Sequence, residues 1–158
     1  VGYHPQILLA GRRMNDNMAR YAARTMIKRM SRRGIDIARS TVGILGVTFK
    51  ENCPDIRNSK IFDMIKEFES WGVTVMAADP WANPEEVVRE YGIRIMSHIE
   101  SRSCDSLVVA VGHNEYRSLQ PKALLDYCKH DGSPVLGDLK ALYGKRDCVD
   151  AGFDVFRL

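Results

Sequence analysis

Apolar side chains recur every four positions near the start of the chain, at Met14, Met18, Ala22, Met26 and Met30, with Tyr21 and Thr25 flanking the stripe. That spacing predicts one long helix over residues 5–33. Pro5 suits a first helical turn. Lys28, Arg29, Arg32 and Arg33 crowd the last turn, where cations favour the helix dipole, and Gly34 stands where a C-terminal cap would. Such a helix is a rod of about 40 Å, longer than one small α/β body covers. The methionine stripe is therefore expected to pair with a second copy about a two-fold axis, giving a homodimer.

Beyond Gly34 the period changes. Short apolar runs at 41–47, 73–78 and 106–111 read as buried strands, with weaker ones at 93–95, 134–137 and 154–156. Between them, residues 59–71 carry Ile61, Met64, Ile65, Phe68 and Trp71 at helical spacing, closed by Gly72. Residues 84–91 and 121–129 also read as helices. Apolar strands alternating with helices predict an α/β, Rossmann-like, doubly wound parallel sheet behind the long N-terminal helix. No internal repeat is visible, and no linker beyond 34–40.

Composition narrows the class. Of 158 residues, 45% are hydrophobic and 27% charged, which excludes disordered and collagen-like chains. No apolar run reaches the ~20 residues of a membrane span. The chain opens on Val1 without a signal-like segment, so it reads as a piece of something longer, with a cytoplasmic setting expected. Residues 1–40 carry nine Lys/Arg against Asp16 and Asp36, a net +7, while the remainder carries −4. Cys53, Cys104, Cys128 and Cys148 form no Cys-x-x-Cys pair, so no metal site is expected and the thiols read as reduced.

Ligands of such sheets sit at the carboxyl ends of the strands. The first strand runs into a loop of about a dozen residues holding Lys50, Asp55 and Arg57, with a helix start near Asn58 and Ser59: a plausible anion cradle. The Gly-x-Gly-x-x-Gly turn of an NAD site is missing there. Asp79 ends the second strand, and Asp79-Pro80 reads as a turn start more readily than as a ribose ligand. His113 follows the third strand and reads as a loop hydrogen-bonder before an acid or base. Cys53 lies near Lys50 and Arg57, which would lower a thiol pKa. The other three cysteines read as packing residues.

Gly46-x-x-Phe49-Lys50-x-x-x-x-Asp55-x-Arg57-x-Ser59 closely resembles the signature that opens the C-terminal domain of the UDP-glucose/GDP-mannose dehydrogenase family. Gly2-Tyr3-His4-Pro5-Gln6 and Ala10-Gly11-Arg12-Arg13-Met14-Asn15-Asp16 look like the end of that family's central helical domain. Asp79-Pro80, His113-x-Glu115, Asp138-x-Lys140 and the closing Phe156-Arg157-Leu158 follow in order. The wording around His4 and Arg12 looks most like bacterial UDP-N-acetylhexosamine 6-dehydrogenases.

The resemblance implies the end of a central dimerisation domain at 1–34 and a UDP-sugar-binding domain at 35–158. It implies a part of an NAD-dependent enzyme that oxidises a sugar C6 alcohol to a carboxylate, the sugar nucleotide being UDP-glucose, UDP-GlcNAc or UDP-GalNAc. The family's nucleophilic Cys and its NAD-binding Rossmann domain are outside this chain, so NAD is expected to be held mainly elsewhere and the piece to be inactive alone. Cys53 is not in the nucleophile's context. Phe49 and Lys50 match substrate-contacting positions, and Arg57 matches one that reaches the cofactor. Arg12 or Arg13 matches an Arg that reaches the neighbouring subunit's substrate. His4 and Lys140 are further candidates for the sugar and the nucleotide. The competing expectation is a non-catalytic dimerisation module, or one that binds nucleic acid through the basic helix. The latter is disfavoured because the basic residues spread over several faces.

Overall fold

A computed structural model describes residues 6–129 and 132–158, with side chains from residue 17 onward. Five strands form one fully parallel sheet: β1 (Thr41–Leu45), β2 (Thr74–Ala78), β3 (Ser106–Val109), β4 (Val135–Asp138) and β5 (Asp154–Phe156). Their order is β2-β1-β3-β4-β5. The chain winds outward from β1 to β2, returns to β3 and continues the other way. The strand order therefore reverses between β1 and β3, and the crevice above that point is where ligands of such sheets bind.

The helices are α1 (Gln6–Arg32), α2 (Ile61–Ser70), α3 (Pro84–Tyr91), α4 (Asn114–Arg117), α5 (Pro121–Leu125) and α6 (Lys145–Ala151). Alternation along each strand feeds two cores. Val42, Ile44 and Val108 join Met26, Met30, Phe62 and Phe68 on one face. Leu45, Leu107 and Val109 join Leu124, Cys128 and Phe153 on the other. Phe62 and Phe68 are each within 1% of full burial, worth about 1.5–3 kcal/mol apiece.

The methionine stripe divides. Ala22, Met26 and Met30 are buried within this body, whereas Met18 is 40% exposed. The C-terminal half of α1 packs on α2 and β4, so the sheet itself covers more of the rod than its length predicts. Met14 lies outside the described side chains.

Several element boundaries differ from the sequence pattern. β1 stops two residues short of 47 because Gly46 turns at φ +93°. Residues 93–95 form no strand: Ile95 tucks into the core, and only Met96 reaches β2, through its N–H to the Ala77 carbonyl at 2.8 Å. Helicity expected to 129 ends at Leu125, and the chain turns so that the backbone at Cys128 lies parallel beside that at Cys104, with both thiols free. The helix expected from 59 begins at Ile61, with Lys60 before it and Ser59 Oγ accepting the Ile61 N–H at 3.4 Å. α4 and α6, of four and seven residues, were too short to show a period. Cys104, Cys128 and Cys148 are fully buried packing residues, and burial pushes the Cys128 thiol up to about 12.

Candidate functional site

Two buried carboxylates shape the carboxyl edge of the sheet. Asp79, at the end of β2, accepts the N–H groups of Val47 (2.6 Å) and Thr48 (3.1 Å) on Oδ2 and those of Trp81 (2.8 Å) and Ala82 (2.9 Å) on Oδ1. It thus starts its own turn and holds the exit of β1. Burial opposes its ionisation, but the bonds from His113 and these backbone donors outweigh that and hold the carboxyl at about 2. Asp138, at the end of β4, plays the matching part. It accepts the N–H groups of Leu142 (2.9 Å) and Tyr143 (3.2 Å) and the Arg157 guanidinium at 3.2 Å.

The loop after β1 is built in two halves. In the first, Thr48 is buried while Phe49 (57% exposed) and Lys50 face outward. The Phe49 N–H donates to the Asp55 carbonyl at 2.7 Å, closing the loop on itself. Asn52 adopts φ +53°, and its side-chain oxygen accepts the Asn114 N–H at 3.0 Å. In the second half, Ile56 is buried and its carbonyl accepts the Tyr91 hydroxyl at 2.9 Å.

Asp55 and Arg57 meet as a fork: Nε and Nη2 of Arg57 each lie 2.9 Å from a carboxylate oxygen, and the Arg57 N–H adds a third bond at 3.0 Å. The Arg57 side-chain hydrogen bond, with its backbone N–H, holds the Asp55 carboxyl at about 2. Asp55 therefore orients Arg57 at the surface, where the guanidinium keeps a free edge.

His113 is fully buried at the end of β3 and is the loop hydrogen-bonder its position predicts. Its ring meets Asp79, Thr48 and Asn52. Lys140 follows β4 on the same sheet edge as Lys50 and is exposed. A cleft of about 160 Å³ lies beside it, between α1, α2 and the ends of β3 and β4, with Ala110 and Leu139 among its walls and Leu158 at its rim. Larger clefts, of about 240 and 340 Å³, sit at the opposite end of the sheet and on its β2 side, away from this loop.

Sequence reasoning placed Phe49, Lys50, Arg57 and Lys140 on one edge, and the fold brings their elements there. His4 lies outside the described residues, and Arg12 and Arg13 lie on α1 outside the described side chains. Thr48, Asn52, Asp138 and Arg157 were missed as anchors, since a polar side chain that bonds to a sequence-distant partner carries no mark in a single sequence.

On the basic helix, Arg24 pairs with Glu67 at 2.7 Å, and Arg29 and Arg33 pair with Asp154 at 2.7 and 3.4 Å. Among the described residues no three His, Cys, Asp or Glu side chains cluster as a metal site, and no helix is long and apolar enough to cross a membrane.

A parallel sheet with its strand-order reversal roofed by a pinned polar loop defines a Rossmann-like α/β domain with its ligand edge at β1 and β3. The match with known proteins is more particular. The chain belongs to the UDP-glucose/GDP-mannose dehydrogenase family, whose UDP binding domain matches residues 43–145. It is 46% identical over 140 residues to the UDP-N-acetyl-D-glucosamine 6-dehydrogenase of Salmonella typhi, covering 89% of this chain and 32% of that protein. The Pseudomonas aeruginosa protein of the same name is 38% identical over 142 residues, covering 90% and 33%. The chain thus spans about a third of the length of these relatives. Among solved structures, the NDP-N-acetyl-D-galactosaminuronic acid dehydrogenase of Methanosarcina mazei shares the fold, with a TM-score of 0.85 at 24% identity over 99% of this chain and 32% of that one.

Proposed function

We propose that this chain is the sugar-nucleotide-holding part of an NAD-dependent UDP-sugar 6-dehydrogenase, which oxidises the C6 alcohol of the sugar to a carboxylate. The observation that carries the reading is the loop from Gly46 to Lys60. It belongs to the matched family domain, it is pinned at the strand-order reversal, and it turns Lys50 outward while Thr48 and Ile56 stay buried. A lysine there is a compact cation suited to a diphosphate, Phe49 offers an apolar face, and Lys140 adds charge from the end of β4. The relatives' names support the sugar class, an N-acetylhexosamine.

The residues present do not fit NAD as a separate site on this sheet. A dinucleotide needs a tight glycine turn opening straight into a helix, whereas here the loop between β1 and α2 is filled by the Thr48, Asn52 and Asp55 contacts. Arg57, steadied by Asp55, is the group we assign to the cofactor's edge, the rest of which would come from another part of the protein. Residues 1–34 would be the end of a central helical domain, with α1 pairing two copies and Arg12 or Arg13 reaching the neighbour's substrate. His4 would lie near the sugar, and the protein would work in the cytoplasm. The internal ion pairs of Arg24, Arg29 and Arg33 weigh against a nucleic-acid role for the helix.

Calorimetry or ligand-observed NMR with UDP, a UDP-sugar and NAD tests this. UDP is expected to bind with Kd of about 0.1–1 mM, or about −4 to −5.5 kcal/mol, and to weaken with salt because phosphate contacts dominate. Tight NAD binding, or NADH production by this chain, would overturn the assignment.

A further inference from the structure

His113 is a fully buried imidazole with all its hydrogen-bonding capacity in use. Nδ1 lies 2.9 Å from the Asn52 backbone nitrogen, and Nε2 lies 3.1 Å from both Asp79 Oδ2 and Thr48 Oγ1. A backbone N–H can only donate, so Nδ1 must be the bare nitrogen and the proton must sit on Nε2. That proton faces a carboxylate, which can only accept. The tautomer is therefore fixed by its two neighbours: the other tautomer would set an N–H against the Asn52 N–H, and a ring flip would put C–H groups in place of both nitrogens and lose both bonds. The Thr48 hydroxyl donates onward to the Lys50 carbonyl at 3.1 Å, so ring and hydroxyl grip the turn at two successive points. The turn is held a third time by the Asn52 side-chain oxygen, which accepts the Asn114 N–H. Trp81 and Tyr116 pack on the ring at centroid distances of 6.4 and 5.7 Å and exclude water from it.

We infer that His113 is a positioning residue: through the bond from the Asn52 N–H to Nδ1 it sets the pose of the Phe49–Cys53 turn, and so places Phe49 and Lys50 for a nucleoside diphosphate. The inference rests on the proposed function for its ligand, though not for the turn. His113 is fully buried, so any effect on a ligand is indirect, and exchange of the Asn52 amide reports the route through the turn. The two ring nitrogens have separate tasks. Nε2 ties β3 to Asp79 and supports the fold, whereas Nδ1 holds the turn.

Two isosteric variants separate these tasks. In His113→Gln the side-chain amide reaches the Nε2 position and keeps the Asp79 bond while leaving the Asn52 N–H without its acceptor. In His113→Asn the side-chain oxygen takes the Nδ1 position and keeps the Asn52 bond. We expect His113→Gln to melt within a few degrees of the parent, to exchange its Asn52 amide at least tenfold faster, and to bind UDP at least fivefold more weakly. His113→Asn should restore the exchange rate and the UDP affinity to within about twofold of the parent. Interchangeable behaviour of the two variants, or an unaltered Asn52 amide in His113→Gln, would overturn the inference. Should neither variant fold, NMR on the parent decides. A bare Nδ1, a protonated Nε2 and a scalar coupling across the Asn52 N–H to Nδ1 bond are expected, and the opposite tautomer overturns the assignment. A parent chain that fails to bind UDP would instead overturn the proposed function, with amide exchange still deciding the role of His113 in the turn.

Discussion

Asp79 and His113 stand 34 residues apart in sequence and meet at 3.1 Å with neither side chain exposed to solvent. Their contact ties the ends of β2 and β3 together across the exit of β1, which lies between them in the sheet. The crevice where strand order reverses is thus closed beneath by a polar knot, and the loop from Gly46 to Lys60 is laid over it.

The Asp79 carboxyl titrates at about 2 in the folded chain against 3.8 ordinarily. A depressed folded-state pKa stabilises above the unfolded value, and that contribution is lost as pH falls through the folded one. The difference corresponds to about 2 kcal/mol. Thermal melts should therefore show stability dropping between about pH 4 and pH 2. Asp79→Asn should be less stable at pH 7 by a similar amount, and its melting temperature should change less across that acid window. A variant that tracks the parent at every pH would remove Asp79 from the account.

The Lys50 side chain is exposed, and it is the backbone carbonyl of Lys50 that holds the turn, by accepting the Thr48 hydroxyl. Lys50→Ala should leave the melting temperature unchanged and weaken UDP binding about tenfold, or about 1.4 kcal/mol, as loss of a charge-assisted contact does. Titration calorimetry on parent and variant side by side gives the comparison. Equal affinities would move the diphosphate away from this loop.

Gly46 adopts φ +93°, and a Cβ placed on it would lie 2.5 Å from Val111 Cβ. Gly46→Ala is expected to cost about 3 kcal/mol or more, combining backbone strain with overpacking. Gly92, also in the left-handed region at φ +69°, has nothing within 4 Å of that position. Gly92→Ala should cost only about 1–2 kcal/mol. Chemical denaturation of both variants separates strain from collision, and equal losses would mean the Val111 contact yields freely.

Met26 and Met18 share one helix and face different environments. Met26→Ala removes a fully buried side chain and should cost about 2–5 kcal/mol in denaturation. Met18 is 40% exposed beside Tyr21 at 58%, so Met18→Glu should be nearly neutral for folding. If α1 pairs two copies, that charge should shift the chain from dimer toward monomer in analytical ultracentrifugation. A parent that sediments as a monomer at high micromolar concentration would dispose of the pairing.

The short continuous apolar runs at 41–47, 73–78 and 106–111, alternating with helical segments, were enough to read a doubly wound parallel sheet, because strands covered on both faces and amphipathic helices leave patterns that a single chain displays. The loop signature from Gly46 to Ser59 likewise carried the family in its own letters, and Phe49, Lys50 and Arg57 could be named from it. What the sequence left undecided lay in contacts between distant residues. Whether Met18 or Met26 faced the core depended on how much of α1 the sheet reached. The roles of Asp79 and His113 depended on a meeting over 34 residues, and those of Asp138 and Arg157 on one over 19. A buried hydrogen bond has no period and no composition. Only the tertiary fold, by bringing the ends of β1, β2 and β3 side by side, decided which polar residues anchor the loop and which it leaves exposed.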